Sequence, residues 1–410
     1  MTPPPVPLSP PAALGDGRLV AVDLLRGAAA VAVVVTHTPR SAPTGFDLRA
    51  LATLPLDFGM LGLQLFIVLS GFCIHHGYAR RLAAGRTRGW SWAAFWRRRF
   101  FRLYPPYVAA VALSLVVVYG LTPPAERPPE LPADVVGDVV SHLLMVHNLS
   151  PDYTGGVGNA ALWSLGLEEQ LYGLFAVVVL LRARLSARVV LGIGLAVSVL
   201  WVAASVWVPF LLTRYAGWPP GGVIELGRIR IGHWGSWPFG WWFLWLIGAV
   251  AAEAHVGLVR VPAWLMSRWV IAATVAVTAV TNYRTLGRYA RNWLSDAGDG
   301  GWLRSGLLTV VGLSDLVFAV GCFALLLRLI RAERQGGLTS PAARWTARLG
   351  LISYSLYLIH MPVLLLLAPL LGTPGEAASI AAAVVGGVAA SIAFAIPFFF
   401  VFERPFLRRR

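Results

Sequence analysis

The chain has 410 residues, of which 57% are hydrophobic and only 13% charged, and its mean hydropathy is +0.68. A soluble domain carries about a quarter charged residues, so this composition excludes an ordinary soluble globular protein and indicates an integral membrane protein. The net charge of +15 comes from arginine without any lysine. Those arginines fall between apolar runs, where membrane topology places them, and not in a patch built for nucleic acid.

The first 17 residues, MTPPPVPLSPPAALGDG, are proline-rich and have no basic n-region, so they read as a disordered cytoplasmic tail and not as a signal peptide. A hydrocarbon core about 30 Å thick needs roughly 20 apolar residues per helix. Ten candidate spans follow, near 19–38, 57–78, 104–122, 162–181, 189–212, 239–255, 266–282, 305–330, 349–371 and 378–402. With both termini cytoplasmic, 23 arginines fall inside, 10 outside, and Arg26 lies within a span. The outer loop 123–161 has one arginine against Glu126, Glu130, Asp134, Asp138 and Asp152, which agrees with the positive-inside rule. The expected fold is therefore an all-α integral membrane protein of about ten transmembrane helices. A single membrane domain over 18–404 would be followed by a basic cytoplasmic tail, 405–410. Neither an inverted repeat of the transporter kind nor an appended soluble domain is visible.

Within the first span, Arg26 and His37 are eleven residues apart, so they share one helix face about 16 Å apart along the axis. Asp23 lies one turn before Arg26. Ionisable residues inside a membrane are functional candidates by default, although an Asp23–Arg26 ion pair is the plain structural reading. GWSWAAFWRRRFFRLYPPY, entering the third span, puts Arg98, Arg99 and Arg102 on one turn. That is either an interfacial basic helix or a clamp for phosphate oxygens. WSLGLEEQLYG opens the fourth span from the outside, placing Glu168 and Glu169 about 10 Å below that surface, at the expected depth of His37. A carboxylate and a histidine meeting in a low-dielectric groove make a base and its orienter, and only one of two adjacent glutamates can face it.

LQLFIVLSGFCIHHGY adds Gln64, Ser70 and the pair His75 and His76, the histidines being read as interfacial. LGLISYSLYLIHMP sets Ser353, Tyr357 and His360 on one stripe of the ninth span. A hydrogen-bonded seam explains that stripe, and so does contact with substrate. Cys73 and Cys322 lie in apolar runs and suggest no disulfide framework. No cluster has metal-ligand spacing, so no metal is expected. The tryptophans of GHWGSWPFGWWFLW could stack on sugar rings, but an interfacial aromatic belt accounts for them equally.

In order along the chain, RGAAAVAVVVTH, FIVLSGF, RRFFRLYPPY, ALWSLGLEEQLY, SYSLYLIHMP and FERPF resemble the acyltransferase-3 family of membrane O-acyltransferases. The resemblance implies transfer of an acyl group, usually acetyl, from acyl-CoA to a hydroxyl of a sugar, polysaccharide, lipid-linked glycan or secondary metabolite. It also implies that His37 is catalytic, with Arg26, Glu168, Glu169 and the Arg98, Arg99, Arg102 cluster as essential neighbours. The arginine cluster would hold acyl-CoA, the sole co-substrate expected. Ser353, Tyr357 and His360 would line the acceptor groove in a multi-pass plasma-membrane enzyme. Many family members carry a fused hydrolase-like domain, for which no counterpart is visible here. The first-choice acceptor is a cell-envelope glycan, with an antibiotic or macrolide hydroxyl second. A proton-coupled transporter and a non-catalytic lipid-binding scaffold are the rival classes, since both would also bury His, Glu and Arg.

Overall fold

The computed structural model describes residues 18–407 apart from 39–58, 60, 87–89, 129–130, 219–222, 227–228, 233, 283–285, 288–289, 291–299 and 372–376. The proline-rich segment 1–17 and the last three residues of the basic tail lie outside the described residues. The long helices are α1 (Val20–His37), α2 (Leu61–Ala83), α3 (Trp92–Leu115), α4 (Val135–Leu143), α5 (Trp163–Arg182) and α6 (Ala187–Ala216). They continue with α7 (Pro238–His255), α8 (Arg268–Thr281), α9 (Gly300–Arg334), α10 (Pro341–Leu351), α11 (Ser353–Leu371) and α12 (Ala377–Phe398). One antiparallel ladder, Ile224–Leu226 on Ile229–Ile231 with Glu225 opposite Arg230, is the strand structure among the described residues.

Among the described residues, eight helices are long and apolar enough to cross a membrane. The other two expected spans also form helices, but of a different kind. α8 is a 14-residue apolar helix. α7 has 18 residues, and its tryptophans, Glu253 and His255 dilute its apolarity. Trp245 and its neighbours on α7 are buried against the other helices, so the protein core, more than lipid, is their solvent.

Close backbone-to-backbone approaches organise the bundle, and two of these crossings frame the site. A Cβ on Gly71 of α2 would lie 1.9 Å from the Trp245 carbonyl oxygen, and one on Gly248 of α7 would lie 1.9 Å from that of Val68. In the second crossing, a Cβ on Gly27 of α1 would meet the Thr346 carbonyl oxygen of α10 at 2.1 Å, and one on Gly350 would meet that of Asp23 at 1.9 Å. Membrane helices gain most of their association from such close van der Waals packing, which small residues permit. The second crossing fixes the height of α1 beside α11, and with it the height of Arg26. Near the first, Glu253 of α7 accepts from Arg182 Nε at 2.7 Å, from Arg182 Nη2 at 2.9 Å and from His75 Nε2 at 2.9 Å. His75, expected at the interface, is 1% exposed. Its hydrogen bond to Glu253 is what allows an imidazole to be buried there.

The segment after α4 does not run over the surface. It folds back into the bundle through short 3-10 turns at His147–Leu149, Gly156–Gly158 and Ala160–Leu162. Its irregular backbone is paired with protein, the condition for such backbone away from water. Buried Asn159 donates Nδ2 to the Leu358 carbonyl of α11 at 2.9 Å and to Ser114 Oγ at 3.2 Å. Val157 adopts a φ of +47°, rare for a β-branched residue, and its N–H is held by Asp138 Oδ2 at 2.7 Å. Because of this return, α5 begins inside the bundle.

Candidate active site

α3 starts with Ser91 accepting from Ala94 N–H at 3.2 Å, then carries Arg98, Arg99 and Arg102 into the bundle. Pro105 and Pro106 supply no N–H to the carbonyls of Phe101 and Arg102, so the helix is loosened where its last cluster arginine sits. All three arginines line a cavity of about 760 Å³, together with Arg18 and Arg26 of the first segment. That is the size range of small-molecule sites, commonly 300–1,000 Å³. Among the described residues, three acids share the wall: Asp23, Glu168 and Glu403. The cavity therefore has an excess of fixed positive charge. The Arg99 guanidinium also lies 5.8 Å from the ring centre of Tyr172, a cation–π distance.

The expected Asp23–Arg26 pair is not made. Asp23 Oδ2 accepts from Arg18 Nε at 2.5 Å, and among the described residues no carboxylate lies within 4 Å of Arg26. Glu403, at the end of the π-helical turn Phe399–Glu403, lines the same cavity as Arg26. Its carboxylate is 1% exposed and accepts from Ser355 Oγ at 2.6 Å and from Ser355 N–H at 3.2 Å. Glu403 and Tyr172 were not picked out individually from sequence. Their signals were present, in FERPF and in the four-residue spacing of Glu168 and Tyr172.

Glu168 faces the cavity and Glu169 does not line it. The Glu168 carboxylate accepts from the Tyr172 hydroxyl, one turn on. Among the described residues, no contact of Glu168 or Glu169 with His37 is made. The chain returns into the bundle before α5, and Glu168 lines the cavity beside Arg99 and Tyr172.

His37, at the last residue of α1, meets His360 instead. The ring centres are 5.1 Å apart, and His360 Nε2 is 3.3 Å from His37 Nδ1. His37 Nδ1 also bonds the Val33 carbonyl at 2.9 Å, and His360 Nδ1 bonds the Tyr357 carbonyl at 2.7 Å. His360 is fully buried, whereas His37 is half-buried. Of the polar stripe on α11, Ser353 donates to the Gly350 carbonyl at 2.9 Å while lining the cavity. Tyr357 also lines the cavity, its hydroxyl 2.5 Å from Ser164 Oγ and donating to the Ala161 carbonyl at 3.0 Å. Phe66 packs edge-on against Tyr357 at 5.7 Å. The arginine cluster, Glu168, Ser353 and Tyr357 thus share one cavity, and the His37–His360 pair lies one helical turn beyond Tyr357.

The tryptophan-rich stretch forms its own knot, with Trp201 stacked on Trp237 at 5.5 Å. The indole N–H groups of Trp201, Trp237 and Trp241 bond the carbonyls of Trp234, Gly232 and Gly235. These polar edges are spent within the protein, which fits a structural aromatic cluster better than a sugar platform. Among the described residues no group of three or more His, Cys, Asp or Glu side chains could hold a metal ion.

A family model described as "Acyltransferase domain" matches residues 19–399. The chain is 26% identical over 367 residues to Acyltransferase MdmB of Streptomyces mycarofaciens, covering 85% of this chain and 79% of that protein. It is 28% identical over 196 residues to Peptidoglycan O-acetyltransferase OatA of Listeria monocytogenes, covering 44% of this chain and 28% of that protein. A third relative, Protein 2 in picA locus of Rhizobium radiobacter, is 35% identical over 115 residues, which is 27% of this chain and 53% of its own length. No solved structure matches the chain.

Proposed function

Given that the chain belongs to the acyltransferase-3 family and is a multi-pass membrane acyltransferase, we propose that it moves an acyl group, acetyl before longer chains, from acyl-CoA to a hydroxyl of a cell-envelope carbohydrate in the plasma membrane. The observation that carries this reading is the cavity itself. Five arginine side chains line it, and so does Tyr357, one turn from a histidine pair. Guanidinium groups match the phosphate oxygens of a nucleotide, and a low-dielectric wall strengthens each contact. Arg98, Arg99 and Arg102 would hold the CoA phosphates at the cytoplasmic face. The thioester arm would then run past Arg26, Glu168 and Ser353 toward Tyr357 and Phe66.

In this reading His37 is the general base. It takes the proton of the acceptor hydroxyl as that oxygen bonds the thioester carbonyl carbon. The carbon–sulfur bond then breaks, and the leaving thiolate receives the proton back from His37. Of the two roles open to Arg26, lining the donor path and stabilising the thioester oxyanion, this reading takes the first. Arg26 lies about 16 Å from His37 along α1, and helical side chains lean toward the helix N-terminus, away from His37. Arg26 therefore lines the donor path. The match to a peptidoglycan O-acetyltransferase supports a glycan acceptor, and the same geometry would serve a secondary-metabolite hydroxyl.

The test is release of free CoA from acetyl-CoA by purified protein in lipid nanodiscs, with glycan fragments and macrolides offered as acceptors. Wild type should release CoA with one acceptor class, His37→Ala should not, and Arg102→Ala should need more acetyl-CoA. Equal release by wild type and His37→Ala would overturn the mechanism. Failure of wild type to bind acetyl-CoA would overturn the choice of donor.

A further inference from the structure

Guanidinium groups serve the phosphates of a nucleotide, but its base needs an apolar seat. The cavity wall supplies apolar side chains from two distant parts of the chain. Leu351 closes α10, and Phe406 and Leu407 belong to the short helix Arg404–Leu407 that follows the π-helical turn Phe399–Glu403. One hydrogen-bonded joint brings these parts together. Glu403 accepts from Ser355 Oγ at 2.6 Å and from Ser355 N–H at 3.2 Å. Leu351 lies four residues before Ser355, and Leu407 four residues after Glu403. Because α11 and α12 pack as antiparallel neighbours, both steps lead the same way along the bundle. The short helix also packs on α3, which carries Arg98, Arg99 and Arg102. Gly350 crosses α1 at Asp23, so its neighbour Leu351 enters the wall next to the Arg18–Asp23 pair. The start of α1 is not itself an anion site. Glu333 accepts from the N–H groups of Val20 and Ala21, each at 2.8 Å, which leaves phosphate to the arginines.

We propose that Leu351, Phe406 and Leu407 seat the adenine base of the donor, which makes the helical turn after Glu403 a part of the nucleotide site. This rests on the reading of acyl-CoA as the donor. Arginine forks grip phosphate oxygens and leave the base unread, whereas a purine ring is held by apolar surface taken out of water. Leu351 is 40% exposed, so apolar area remains there for a ring to cover. The joint that sets the relative height of the two leucines is dry: Glu403 is 1% exposed and Ser355 fully buried, so water does not compete for their hydrogen bonds. With the base on this apolar wall, the phosphates fall to the arginines of α3, and the arm is left to enter the rest of the cavity.

4′-Phosphopantetheine has the arm and one phosphate of CoA without the nucleotide, so comparing the two ligands isolates the base and its ribose. In titration calorimetry on nanodiscs, Leu351→Ala and Leu407→Ala should each weaken CoA binding about three- to tenfold, as loss of part of an apolar contact predicts. Binding of 4′-phosphopantetheine should stay at the wild-type level, and Leu407→Met should restore most of the CoA affinity. CoA bearing 8-azidoadenine gives a second readout: its photolabel should fall on the peptides holding Leu351 or Phe406 and Leu407, and excess CoA should prevent it. Unchanged CoA affinity in both leucine variants overturns the proposal while leaving the donor reading intact. Equal weakening of both ligands marks a shifted cavity wall and also overturns it, as does a photolabel confined to other peptides. Wild type that binds neither ligand overturns the reading beneath it.

Discussion

Replacing Glu253 by alanine tests how the bundle holds a buried charge. The carboxylate is 1% exposed and accepts two bonds from Arg182 and one from His75, at 2.7, 2.9 and 2.9 Å. Each charge-assisted bond is worth about 1.5–3 kcal/mol in isolation. The three do not add, because they share one acceptor group and Arg182 keeps its bond to the Leu185 carbonyl. Removing one partner of a buried pair costs about 3–5 kcal/mol, mostly through the charge left behind. Glu253→Ala should therefore destabilise by about 4 kcal/mol, and Glu253→Gln, which keeps one acceptor oxygen, by about 2 kcal/mol. The double variant Arg182→Ala/Glu253→Ala should lose less than the sum of the two single variants, because neither charge remains buried alone. Equilibrium unfolding in mixed detergent micelles measures all of these. A loss below about 1 kcal/mol for Glu253→Ala, or additive losses in the double variant, would refute the reasoning.

Gly71→Val should prevent accumulation of folded protein, since its Cβ would lie 1.9 Å from a backbone oxygen. Gly77→Val on the same helix, with nothing within 4 Å, should be tolerated; size-exclusion profiles of the two compare them directly. Arg99→Ala and Arg102→Ala should each raise the KM for acetyl-CoA about tenfold, as loss of a charge-assisted phosphate bond predicts, and acyl-CoA titration at two salt concentrations checks this. His147, in the segment before α5, is pushed well below its ordinary value by burial and by the facing His142, at 3.8 Å between stacked rings. In the unfolded chain it titrates near 6.5, so stability is full above about pH 6.5 and falls as the unfolded state gains its proton first, by about 1.4 kcal/mol per unit. Unfolding followed from pH 7 to pH 5 should show that slope in wild type and lose it in His147→Phe.

Local features of the site were legible because they obey helical periodicity. Arg98, Arg99 and Arg102 on one turn reach one cavity, and Ser353, Tyr357 and His360 on one stripe face the same side of α11. That only one of Glu168 and Glu169 would face a groove followed from their 100° offset. What periodicity could not give was depth. Glu168 was placed at the height of His37 by counting from the start of its span, a count that assumes α5 begins at the membrane surface. The return of residues 144–162, pinned by Asn159 and Asp138, breaks that assumption. The same limit hid His75, whose partner Glu253 is 178 residues away, and the contact of Glu403 with Ser355, 48 residues away. Pairings across that distance depend on which helices become neighbours, and the glycine crossings that decide this look in sequence like any other small residue.

That the arginine-lined cavity is also walled by Phe66, Ser164 and Tyr357 has a consequence for the cell as well as for the reaction. A wide, cationic channel open from face to face would let anions drain across the bilayer and short-circuit the membrane potential. The T-shaped packing of Phe66 on Tyr357, with the phenol anchored to Ser164 and the Ala161 carbonyl, would serve as an insulating plug against such a leak. An acyl group can be handed past such a plug on a slender arm while small ions are held back. Phe66→Ala should therefore make proteoliposomes leaky to chloride, an electrical phenotype separate from any change in transfer rate.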